Sequence, residues 1–123
     1  MLIRLWLFIA GAGGAASVIA GAVAAHLADD AATATLLHNG ALYGMIHAAA
    51  LLAIIGLAQG REPRRGAAAF AGWCFAVGIV LFSGAQFLHA ATGVRQFGWG
   101  VPFGGTAFIL GWLSVAILAC RRR

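Results

Sequence analysis

The chain has 123 residues, of which 63% are hydrophobic and 9% charged, with a mean hydropathy of +0.95. A soluble domain is about half apolar and about a quarter charged, so this composition excludes an ordinary soluble protein, a disordered tail and a nucleic-acid-binding domain. The net charge of +5 comes from eight arginines against Asp29, Asp30 and Glu62, with no lysine.

Four spanning helices of about 20 residues each would take roughly two-thirds of this length, which matches the apolar fraction. The expected architecture is an all-α integral membrane protein. It forms a four-transmembrane-helix bundle as one domain over residues 1–123, with no room for a soluble catalytic domain. The first apolar segment covers about 5–27 and ends before Ala28, Asp29 and Asp30. A polar or small-residue stretch with Thr33, Thr35 and His38 continues to about Asn39. The second segment covers about 40–58. A dense polar loop with Arg61, Glu62, Pro63, Arg64 and Arg65 follows, and its proline and flanking glycines separate two helices. The third segment covers about 67–91. A loop with Arg95, Gln96 and Trp99 leads to Pro102, which suits a first helical turn because it lacks an N–H. The fourth segment covers about 103–120, and Arg121, Arg122 and Arg123 stop it.

Helices are required, because backbone groups in lipid must be paired within a segment, and the continuous apolar runs do not alternate as barrel strands do. Four spans put both termini on one side, N-in and C-in. Seven arginines lie there, while Arg95 alone lies opposite. That bias places both termini in the cytoplasm, with anionic lipid headgroups as the arginines' partners. Trp6 and Trp73 fit an inner aromatic belt and Trp99 an outer one, whereas Trp112 falls mid-span and needs a packing role. Arg4, the apolar run and Ala22-Val23-Ala24 mimic a cleavable signal, but the segment exceeds a signal core of about 7–15 residues and is read as a span.

Glycine alone supplies 18 residues. Small residues let helices approach closely in lipid, where packing drives association. Gly40-xxx-Gly44, Gly56-xxx-Gly60 and Ala68-xxx-Gly72 have the spacing. Gly21, Gly84, Gly104, Gly105 and Gly111 are further packing candidates. Cys74 and Cys120 form no metal or redox spacing, and free, buried thiols are expected.

Polar groups inside a membrane are costly and therefore informative. The candidate intramembrane cluster is His26, Tyr43, His47, Ser83, Gln86 and His89. Tyr43 and His47 are four residues apart on one helical face. Ser83, Gln86 and His89 advance in steps of three along one stripe. The topology puts all six in the outer half, with His47 roughly 12 Å below its span's outer end. In the plainest account, these groups hydrogen-bond across helices and fix the packing. Three histidines could instead hold a metal or a haem, although none has local ligand spacing and no carboxylate or thiolate accompanies them. A His–Tyr–Gln set could also relay protons, but the inner half offers no polar continuation. No nucleophile–base pair appears, so no enzyme is expected and no cofactor is assigned. Gly104-Gly105 after Pro102 reads as a tight turn with close packing rather than an anion site.

Four stretches then line up with a known family. Residues 21–27, Gly-Ala-Val-Ala-Ala-His-Leu, resemble the histidine motif ending the first span of DUF423 proteins, small membrane proteins that include the transmembrane protein 256 group. Residues 41–48, with Tyr43 and His47, resemble the family's second span. Residues 78–84, with Phe82-Ser83-Gly84, resemble its third. Pro102-Phe103-Gly104-Gly105, with Phe108, Gly111 and Trp112, resembles its fourth. Ala24 replaces a usual glycine, Gly44 stands where glutamine or histidine is common, and Val101 where threonine is usual. The resemblance implies a four-span membrane protein that keeps its first span, and it implies no particular activity.

The expected role is therefore structural, or that of an accessory subunit of a membrane complex, with lipids and a larger complex or a second copy as partners and no nucleic acid. The alternative is a proton or small-solute conduit, or a metal or haem binder, using the outer-half histidines. The alanine-, glycine- and arginine-rich composition points to a bacterial inner membrane.

Overall fold

A computed structural model describes residues 1–59 and 64–120, with the side chains of residues 64, 119 and 120 excluded. The dense polar loop, the three terminal arginines and the Cys120 thiol lie outside the described residues. The elements are α1 (Leu2–His26), α2 (Ala31–Ala58), α3 (Arg64–Gly78), a π turn (Ile79–Ser83), α4 (Gly84–Thr92), a 3-10 turn (Arg95–Trp99) and α5 (Gly100–Cys120). Among the described residues all regular structure is helical. Four stretches are long and apolar enough to cross a membrane: Leu2–His26, Ala31–Ala58, Arg65–Thr92 and Arg95–Leu118. The third runs through α3, the π turn and α4 as one span.

The second span starts earlier than the polar stretch suggests. Asp30 is extended, at φ −145° and ψ 161°, and its carboxylate accepts from the Thr33 backbone N–H and hydroxyl, each at 2.8 Å. That cap satisfies a donor at the helix start. Helix α2 therefore begins at Ala31, and the 31–39 stretch is its first turns. The bonds from Thr33, the backbone one foremost, hold the Asp30 carboxyl below its usual 3.8. A depressed folded value means the cap contributes fully above the unfolded pKa and is lost as pH falls through the folded one. Acidification below about pH 4 should fray the start of α2 before the core responds. Hydrogen exchange at the amides of residues 31–34 is the readout, and Asp30→Ala should remove its pH dependence.

At the other end of the third span, Gly93 takes φ +70° and its N–H reaches the His89 carbonyl at 2.8 Å. Only glycine adopts that left-handed cap without strain. The chain then turns through Arg95–Trp99, and Pro102 sits in the first turn of α5.

Helix α1 packs on α2, α2 packs on the third span, and α5 packs on the third span's other flank. The core holds Trp6, Leu51 and Phe75, all fully buried, with Ile54, Ile79 and Phe108 around them. Trp6 thus does not belong to an aromatic belt. It lies edge-on to Trp73 with centroids 6.0 Å apart, and its indole fills the notch at Gly72, where a Cβ would stand 2.5 Å away. Trp73 and Trp99 are exposed, and Cys74 is a free, buried thiol.

Glycine notches seat large side chains elsewhere as well. Gly40 receives Phe87, Gly111 receives Phe75, and Gly78 receives Phe108. Gly21 and Gly105 make ordinary contacts, and Gly84 and Gly56 face open space. The π turn, bracketed by Gly78 and Gly84, is not announced by the residue spacing. Such turns insert an extra residue and shift the faces a helix presents.

Candidate functional site in the bundle core

His47 is 4% exposed and sits one turn below Tyr43 on α2. Its Nδ1 lies 2.7 Å from the Tyr43 carbonyl oxygen, and its Nε2 lies 3.0 Å from Nε1 of Trp112 on α5. A carbonyl can only accept and an indole N–H can only donate. Nδ1 therefore carries the proton and Nε2 accepts, which makes His47 a neutral imidazole with both nitrogens in use. This bond ties span two to span four across the interior.

Aromatic rings close the space around the imidazole. The Phe108 ring stacks on it at 3.5 Å and 11°, and Phe75 lies at 5.6 Å. Tyr43 packs against Phe82 at 4.8 Å and against Phe108 at 6.4 Å. Phe75 in turn touches Trp112 at 5.1 Å. Such pairs add to the burial of their own surface. The result is a plug of rings at the level of His47.

One turn toward the start of α2, three helices meet at Gly44. A Cβ there would run into the Ser17 hydroxyl of α1 and stand 3.0 Å from the Ser83 hydroxyl of the π turn. Both serines are buried, and neither hydroxyl has a hydrogen-bond partner among the described residues. Gly44 is thus the place where α1 and the third span close on α2.

The other candidates do not gather around His47. Gln86 is buried in α4 beside Gly40. His89 is half-buried near the end of the third span, and His26 is exposed at the end of α1. Among the described residues no three His, Cys, Asp or Glu side chains come within metal-binding reach of one another. Sequence reasoning placed Trp112 in a packing role and missed its bond to His47. The available signal was a polar N–H at mid-span, which requires an acceptor in lipid. Phe75 and Phe108 were also missed as ring partners.

The profile of the family described as "Protein of unknown function (DUF423)" matches residues 20–105. The chain is similar to the UPF0382 membrane protein YwdK of Bacillus subtilis, 36% identical over 84 residues that make up 68% of each chain. It is also similar to a UPF0382 membrane protein of Haemophilus influenzae, 33% identical over 102 residues and 80% of each chain. A third relative, the UPF0382 membrane protein SERP0230 of Staphylococcus epidermidis, is 43% identical over 75 residues, 61% of this chain and 59% of its own. No solved structure matches the chain.

Proposed function

Because the chain belongs to the DUF423 family of membrane proteins, we propose that it is a structural or accessory subunit of a larger membrane complex, without catalytic activity of its own. The observation that carries this reading is the use of the buried His47 imidazole. His47 spends Nδ1 on the Tyr43 carbonyl of its own helix and Nε2 on Trp112 of α5, and the second bond is the work of an interhelical clasp. Neither nitrogen is left to ligate a metal or haem, or to pass a proton, and the ring plug offers no polar continuation. The conduit and metal or haem readings would need the clasp to open first.

The partner would dock on the outward face of α5, where Phe103, Ile109, Leu113 and Ile117 are all exposed. The arginine bias supports cytoplasmic termini, and the bacterial relatives support a bacterial inner membrane.

Native mass spectrometry after gentle extraction from the source membrane tests the role. A reproducible, stoichiometric larger protein bound through α5 is expected, and Ile109→Arg should release it. A lone chain that makes liposomes leak protons would overturn the reading.

A further inference from the structure

A groove runs along the lipid-facing side of the molecule between α1 and the third span. Helix α1 touches the third span at Trp6–Gly72 and at Gly13–Ile79, but beyond the π turn α4 lies away from it. The middle of the groove is walled by Ala12 and Ala16 on one side and by Val80, Gly84 and Phe87 on the other, and encloses about 430 Å³. It continues past Ala16 and Phe87 into a mouth of about 510 Å³ that ends at Asp29 and Thr33. From Ala12 to His26 the helix rises roughly 21 Å, enough for one leaflet of a bilayer core about 30 Å thick.

We propose that this groove binds the acyl chain of a phospholipid whose headgroup carries an ammonium, such as phosphatidylethanolamine, with Asp29 holding the ammonium. Section decides between a tail and a helix. A helix about 10 Å wide and 20 Å long fills about 1,500 Å³, far more than this groove holds, whereas a single hydrocarbon tail fits it. Charge decides the headgroup. Asp30 gives both carboxylate oxygens to Thr33, so the carboxylate left to a ligand at the mouth is that of Asp29. Among the described residues it forms no ion pair. An anionic headgroup would meet repulsion there, and an ammonium would make a charge-assisted hydrogen bond. Alanines and glycine on the walls leave the width that the chain occupies.

The test is native mass spectrometry of the full chain released from vesicles of mixed phosphatidylethanolamine and phosphatidylglycerol. One retained phosphatidylethanolamine is expected, preferred over phosphatidylglycerol. An added Cβ at Gly84 meets nothing within 4 Å, so Gly84→Leu projects into the groove, and should cut retention about tenfold. Ala16→Leu, on the opposite wall, should do the same and stands in if the first variant fails to fold. Asp29→Asn should keep the lipid but lose the headgroup preference. Equal retention of both lipids by the unaltered chain overturns the proposal. So does retention unchanged in both groove variants, or a dimer that seats a second copy in the groove.

Discussion

Gly104→Ala will force spans three and four apart. A Cβ at Gly104 would run into the backbone nitrogen of Phe82 and stand 2.9 Å from its Cα. Backbone inside a helix cannot swing aside as a side-chain tip can, so the helices must separate. Overpacking of this kind costs about 1–3 kcal/mol and sometimes more. In lipid the loss is not offset by a hydrophobic effect between helices, because close packing is itself the driving force. Gly105→Ala is the internal control, since its Cβ would meet only the Phe82 ring, at 3.8 Å. Thermal unfolding in a mild detergent should show a large drop for the first variant and almost none for the second. Equal behaviour of the two would mean that spans three and four do not meet at Gly104.

The second large effect belongs to His47. Replacing it with alanine empties the space against Phe108 and Phe75 and leaves the Trp112 N–H without its acceptor. Removing a buried ring costs about 3 kcal/mol, and hydrogen bonds between helices in membranes average about 0.6 kcal/mol, with about 1.7 as an upper value. Trp112→Phe removes the N–H and part of the indole's packing, so at least the roughly 1 kcal/mol of the interhelical bond is expected to be lost. The two changes should be non-additive. With His47 already absent, Trp112→Phe should cost less than it does alone, by the share of the bond that is already gone. Strict additivity in reversible unfolding would show that the two side chains do not interact.

Much of the bundle is written in the composition. Continuous apolar runs of span length, broken by glycine, proline and arginine, can only be helices in lipid. The start of α2 was harder to see, because Thr33, Thr35, His38 and Asn39 read as a loop while Asp30 caps a helix that runs straight through them. Polarity marks where a helix leaves the membrane, and only cap geometry marks where it begins. The glycines carry a similar lesson. Neighbours 104 and 105 are equivalent in sequence, yet one is pressed on backbone and the other is not, because helix rotation decides which faces a neighbour. Gly84 belongs to a family motif and still looks into the groove.

The candidate site was legible one residue at a time but not as an assembly. His47 stands out as a polar group deep in a span, and its spacing from Tyr43 points to one helical face. What it does depends on Trp112, 65 residues further on. No local pattern connects the two, and the indole's large apolar body hides its one polar atom. Ser83, Gln86 and His89 were grouped by spacing on their own helix, and only a shared outer half joined them and His26 to His47. His26 and His89 sit at the ends of their helices and His47 well inside α2, so they end up apart.

The most direct test of the clasp is the nitrogen chemical shifts of the His47 ring, measured by NMR on isotope-labelled protein in bilayers near neutral pH. A neutral imidazole is predicted, with its proton on Nδ1 and an unprotonated Nε2 that becomes more pyridine-like in the Trp112→Phe variant. A ring protonated on Nε2, or an imidazolium at that pH, would contradict the two-sided bond and reopen His47 to ligation or proton transfer.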